Sequence, residues 1–430
     1  MTPVCALPNR ERMPPGRLRA GFRTCGPAKR IPLLLLAFTG IGLCFSHFEA
    51  RHCHPIEQTP DGNLLLAVNS TEGRLSVFST AAGMDLPRLI AEIPVGLGPV
   101  SVRAISNSEA WVVNEVSDSV SVVDLARKRV TATLKVGDEP ADVAFAGGKA
   151  FVSCARENRI TVIDTTSRSL VSHIPLQGLF PRALAVSPDG SRLYAAFLLS
   201  GNRTTTLHFR DAPAQPAPTN PALPAPPQVA LIVPDSDPRV PYDVIDHDIA
   251  EIDTSTLAVL GYKPNIGTNI LSLDCAPDGL LWAGATDARN LIRFEPSLNG
   301  VFQESRVARI SGNSVSLQDL NPQASNKIVP AETKDLAIAQ PMALLADADG
   351  AWIAGFGSDR IARVSTTGDI LNRVDLRTTF PQTVRGPRGL ARHPVSGRIA
   401  VLNKLSNTVS ILSPSAAVIG EIPLASHHPI

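Results

Sequence analysis

The chain has 430 residues, of which 44% are apolar, 18% charged and 5% aromatic, with 40 basic and 39 acidic side chains. That apolar share supports a large packed core and excludes a disordered charged tail, a collagen-like chain and a disulfide-dense scaffold. Residues 1–30 hold seven of the basic side chains and one of the acidic ones, so the remainder carries a formal charge of −5 and offers no general footprint for nucleic acid.

The basic start (Arg10, Arg12, Arg17, Arg19, Arg23, Lys29, Arg30) runs into IPLLLLAFTGIGLCF at residues 31–45, an apolar stretch too short to span a bilayer comfortably. This predicts an export leader over residues 1–46, cleaved after Ser46, with an uncleaved N-terminal anchor as the alternative. The body is then periplasmic or at the cell surface, and touches a membrane only through an uncleaved leader. Cys5, Cys25 and Cys44 belong to the leader; Cys53, Cys154 and Cys275 remain, an odd number that cannot make a disulfide framework. With no CxxCH motif, this chain carries no c-type haem site of its own.

From residue 55 the sequence repeats. Five segments open with a loop proline and an alternating apolar stretch, at Pro99, Pro140, Pro181, Pro341 and Pro387, and the first three are 41 residues apart. In six units a first apolar run ends in a small or polar residue and a second ends in a polar cap ten residues later: Asn69 to Ser79, Asn114 to Asp124, Cys154 to Asp164, Ala285 to Glu295, Gly355 to Ser365 and Asn403 to Ser413. Period-two alternation, such as Val120 and Val122 against Ser119 and Ser121, marks these runs as strands joined by short polar turns. The turns at Thr59-Pro60-Asp61-Gly62, Ser187-Pro188-Asp189-Gly190 and Ala276-Pro277-Asp278-Gly279 place proline where φ is preset and glycine where φ turns positive. A fourth, outer strand follows, as in RVTATLKVG.

Four short strands in about 40–45 residues make one propeller blade. The units fall at about 55–96, 97–137, 138–177, 178–267, 268–339, 340–385 and 386–424. The predicted fold is all-β: a seven-bladed β-propeller of four-stranded antiparallel blades over residues 55–424. Two inserts interrupt it. The first, about 200–247, contains APAQPAPTNPALPAPP at 212–227, with seven prolines and no charge, which reads as an extended loop without a core. The second lies at about 311–339.

The stretch VVNEVSDSVSVVDLARKRVTATLKVGDEPADVAFAGGKAFVSC resembles the YVTN-type β-propeller repeats of exported bacterial proteins, and the likeness covers about residues 55–424. The opening PIEQTPDGNLLLAVN, the proline-rich insert and the stretch RFEPSLNG resemble members that continue into a di-haem module similar to cytochrome c peroxidases. That resemblance implies a cytochrome c-type module as a partner; it transfers no haem ligand, because this chain ends in ASHHPI without a haem motif.

Residues beside the loop prolines ring one mouth of the channel. Arg103, Asp142, Arg182 and Arg388 are therefore the candidate ligand-binding set, since guanidinium groups recognise carboxylates bidentately. His52, Cys53 and His54 before the first blade, with His427 and His428 after the last, are a candidate zinc or copper set, because ring closure brings the two ends together. Cys154 takes the strand-end position that Asn69, Asn114 and Asn403 fill elsewhere, a structural role. No catalytic set is assigned. The reading is an exported binding or scaffold propeller for a protein partner or redox module; the alternative is a lactonase-like or dehydrogenase-like enzyme acting at the channel mouth.

Overall fold

The computed structural model describes residues 51–81, 84–211, 230–291, 303–324, 329–378 and 384–424. The leader, His427 and His428, RFEPSLNG and most of the proline-rich segment lie outside these residues. No helix among the described residues is long and apolar enough to cross a membrane.

The chain folds as seven four-stranded antiparallel sheets in sequence order. Blade 1 comprises Ile56–Gln58, Leu64–Asn69, Arg74–Ser79 and Arg88–Pro94, and blade 2 comprises Pro99–Ala104, Glu109–Asn114, Ser119–Asp124 and Arg129–Lys135. The innermost strands of blades 3 to 7 are Pro140–Ala146, Leu179–Val186, Asn269–Cys275, Pro341–Asp347 and Pro387–Arg392. The two middle strands of blade 2 are buried on both faces because each face packs on a neighbouring blade; Val120 and Val122 share a cluster with Val143, Ala150 and Val152 of blade 3. Outer strands alternate instead, as Arg129–Lys135 does between exposed and half-buried residues, because their outward face meets water.

Strand direction sorts the connections. Loops leading into innermost strands, and turns between second and third strands, share the face that carries the loop prolines. The residue before each proline sits at positive φ: Gly98 61°, Glu139 49°, Phe180 59°, Gln340 56° and Gly386 58°. Three of these are not glycine and hold the left-handed conformation at a cost of about 1–3 kcal/mol each. Gln340→Gly is therefore expected to raise stability by about 0.5–1 kcal/mol, the relief being partly offset by the freer unfolded chain. A lower denaturation midpoint would show instead that the glutamine side chain stabilises the loop.

Asn114 bridges to the next strand through Ser119 and Ser121, and Asn403 does the same through Thr408 and Ser410. Cys154 fills the same position with Sγ 3.4 Å from Thr161 Oγ1, and burial pushes its thiol pKa up. Two expectations change. The strand that pairs with Leu281–Ala288 is Gln303–Ser311, not the run at Asn290–Glu295 that the ten-residue spacing suggested. The first insert contains a two-stranded ribbon, Thr204–His208 on Ala230–Pro234, and the second contains the outer strand of blade 5, Ser314–Asp319, and a short helix at Ala331–Asp335.

Among the described residues no blade borrows a strand from another. The ring closes by packing: Ile56, Leu65, Ala67 and Phe78 of blade 1 meet Ala391, Ala400, Leu402 and Val409 of blade 7, and Leu424 joins the same cluster. Arg398 adds hydrogen bonds to the carbonyls of Met84 (2.7 Å) and Asp85 (3.0 Å) across the seam. A cavity of about 450 Å³ lies between the two blades there.

Candidate functional site

The central channel is lined by the innermost strands and by the segment Arg51–Pro55. Cys53 N–H donates to the Val100 carbonyl, Val102 N–H to that of His54, each at 2.9 Å, and Val68 N–H to that of Pro55 at 2.8 Å. The segment thus runs along the inner edges of blades 1 and 2, and its polar groups meet the predicted site residues.

Arg182 and Arg388 come together on this segment. Arg182 pairs with Glu115 at 2.9 Å and donates to the Arg51 carbonyl. Arg388 donates twice to the His52 carbonyl, at 3.1 and 2.8 Å, with its guanidinium 5.7 Å from the centre of the Phe356 ring. Lys404, in the second turn of blade 7, joins them. Burial, and then Arg182, bring Arg388 down to about 10, while burial and Arg388 bring Lys404 down to about 8. These groups line a cavity of about 240 Å³ at the proline-loop mouth together with Leu198, Ile270, Leu271 and Met342.

His52 is buried against the same cations. Its Nε2 lies 2.6 Å from Ser70 Oγ, whose hydroxyl donates to the Pro99 carbonyl, so Nε2 is the protonated nitrogen of a neutral ring. Burial first, then Lys404, Arg388 and Arg182, hold its pKa well below the usual histidine value. A depressed folded pKa means that the unfolded chain binds the extra proton, so stability is lost as pH falls below about 6.5. Relative to His52→Gln, the wild type is expected to lose up to about 1.4 kcal/mol per pH unit there. Parallel denaturation curves of the two proteins between pH 7 and 5 would refute this.

Arg103 and Asp142 lie deeper, apart from the other two arginines. Asp142 is fully buried; it accepts Val143 N–H and Leu184 N–H at 2.9 Å, and its Oδ2 lies 2.6 Å from His54 Nδ1. Arg103 approaches Asp142 at 3.9 Å and pairs with Glu57 at 3.1 Å. Glu57 faces Leu66 on the neighbouring strand, and Arg103, Asp274 and Leu345 face Trp111, Trp282 and Trp352, so the charged groups form one layer across the channel. Burial and Arg103 act to lower His54, yet the Asp142 charge and hydrogen bond outweigh them and push it up to about 10. Burial acts to raise Asp142, but His54 and Arg103 hold it below the usual carboxylate range. Burial raises both Glu57 and Asp274. A second cavity of about 310 Å³ opens from this layer on the opposite side, lined by His54, Glu57, Arg103 and Asp274.

Of the candidate metal set, Cys53 and His54 lie with Asp142, with one potential ligand atom from each within 4.8 Å of the others. The chemistry of that trio suits an ion pair better than a cation. Both Asp142 oxygens already accept backbone N–H groups, the imidazolium takes Oδ2, and the Arg103 guanidinium stands beside the same carboxylate. Glu57, Glu115, Asp274 and Lys404 were missed from the sequence; aligning the blades rung by rung would have placed Glu57, Arg103 and Asp274 in one layer.

The blades and the charged side chains of their channel define a seven-bladed β-propeller protein. A family model described as "Lactonase, 7-bladed beta-propeller" matches residues 35–229. A seven-bladed beta-propeller protein of Mycobacterium tuberculosis, Rv1057, is 32% identical over 138 residues. That match takes in 30% of this chain and 34% of the relative, so the chain spans about a third of its length. Among solved structures, Kuenenia stuttgartiensis hydrazine synthase superposes with a TM-score of 0.65 at 19% identity, over 86% of this chain and 97% of that one. Virginiamycin B lyase from Staphylococcus aureus gives a TM-score of 0.52 at 12% identity, over 83% and 93%. These likenesses are of fold.

Proposed function

We propose that this propeller is a binding module that docks a protein partner on its proline-loop face, in the periplasm or at the cell surface. The observation that carries the reading is where the exposed apolar side chains lie. Of the twenty large apolar residues exposed among the described residues, twelve sit on that face or in its inserts, seven on outer strands, and Val395 alone on the opposite face. Leu97, Val116, Leu179, Leu199, Val384 and Leu405 are among the twelve, and the first and last of these are 61% and 49% exposed. An apolar collar around a charged mouth is what protein interfaces use, a desolvated area with polar groups that fix the register.

The resemblance to YVTN-type repeats fused to di-haem modules nominates a cytochrome c-type module as the partner. The test is the affinity of the purified propeller for such a module from the same genome, read by calorimetry with wild type and with Leu97→Asp/Leu405→Asp. A loss of about tenfold or more supports the reading; equal affinities, or no binding by the wild type, overturn it.

The family-model match favours a second reading, a lactonase-like enzyme at the channel mouth. It would need a free base, whereas His54 is held as an imidazolium by Asp142 and the two mouth arginines bond the chain's own carbonyls. Saturable lactone hydrolysis that Asp142→Asn abolishes would establish the enzyme and displace the binder.

A further inference from the structure

We propose that the cavity at the proline-loop mouth binds a small organic carboxylate. The proposal stands apart from the docking reading, because it rests on the inside of the mouth and not on the apolar collar around it.

Three cations face this cavity from three elements: Arg182 from the innermost strand of blade 4, Arg388 from that of blade 7, and Lys404 from the turn after Asn403. Glu115 is the carboxylate that acts on all three, through its ion pair with Arg182 and its charge on Arg388 and Lys404. Three cations against that one carboxylate give the cluster a local excess of positive charge. Like charges gathered in a site shielded from water destabilise one another, and a bound anion relieves that repulsion.

The geometry narrows the anion. The His52 carbonyl holds Arg388 from two nitrogens and the Phe356 ring lies beside it, so its plane is fixed before any ligand arrives. Between the cations the lining is apolar, with Leu198, Ile270, Leu271 and Met342, which gives a fully hydrated phosphate or sulfate nothing to pack against. An acid with a short aliphatic chain or one ring satisfies both the cations and the apolar lining. The volume, about 240 Å³, is below the roughly 300–1,000 Å³ of pockets for drug-sized molecules and suits a short acid.

The experiment is calorimetry on the full-length protein with butyrate, benzoate and inorganic phosphate as probes at fixed salt, alongside Lys404→Met and Arg388→Met variants whose folding is checked by circular dichroism. The expected result is saturable binding of butyrate or benzoate that phosphate does not displace, weakened about ten- to a hundredfold in Lys404→Met. Lys404 sits in a turn, so that variant remains informative if Arg388→Met fails to fold. No saturable heat with either acid at millimolar concentration overturns the proposal. So do unchanged affinity in Lys404→Met and equal competition by phosphate. Binding of a short acidic peptide with none of the free acids would also overturn it, and would assign the cations to a side chain of the docked partner.

Discussion

Asp142→Ala is expected to lower the stability of the propeller by about 3–5 kcal/mol, the cost of removing one partner from a buried charge pair. The carboxylate is fully buried and holds two backbone N–H groups, one from its own strand and one from the innermost strand of blade 4, along with the His54 imidazolium. Its removal strands the His54 charge inside the channel and leaves Arg103 paired with Glu57. A second readout separates this from a simple cavity. The pKa of His54 is raised in the fold to about 10, so its contribution is fully present below about pH 6.5, where the unfolded chain is protonated too, and is lost as pH rises through about 10. That alkaline loss of stability is expected to vanish in Asp142→Asn, which keeps the shape and removes the charge. Chemical denaturation between pH 6 and 10 measures both effects; a decrease below about 1 kcal/mol for the alanine variant would mean that water or a neighbour replaces the carboxylate.

Glu421→Ala is expected to cost a comparable 3–5 kcal/mol. Arg385, with 0% of its surface exposed, reaches Glu421 on the outer strand of blade 7 at 3.0 and 3.1 Å. Its own N–H and that of Gly386 both donate to Asp359 at 2.8 Å, so the pair ties the last proline loop to blade 6 and to the outer edge of blade 7. Thr408 donates to the other Glu421 oxygen. Replacing both partners by apolar residues of similar size, Arg385→Met with Glu421→Leu, is expected to recover most of the loss, because the desolvation cost disappears with the charges. A double variant as unstable as Glu421→Ala would show that the loop needs those particular hydrogen bonds.

The blades were legible because their signals are local. A proline at a fixed offset, a Pro-Asp-Gly turn and two alternating runs with caps ten residues apart repeat often enough to set the fold. The third strand of blade 5 was misplaced because the chain between Ala288 and Gln303 is longer than in the other hairpins, and spacing alone lands on the wrong apolar run. The channel was read only in part. Proximity to a loop proline says that a side chain is near the axis but not how far down it lies, so Arg103 and Asp142 were grouped with Arg182 and Arg388 although a layer separates them. That layer depends on strand register, which slips by a residue wherever a bulge occurs, as between Pro99 and Ser101. That Arg51–Pro55 would lie against the channel arginines is a long-range pairing with no local pattern to announce it.

Because each blade's four strands follow one another along the chain, interrupted only by the ribbon inserted in blade 4, the order of the blades along the gene is separable from their order around the ring. Ile56 and Leu424 meet in one apolar cluster, so a short linker there and a new break at another proline loop would leave all seven sheets whole. A ring fastened by a shared strand would be split by most such cuts. This one can in principle be reopened before Pro140, Pro341 or Pro387 and refold to the same circle, with the weakest junction moved to wherever the new ends lie.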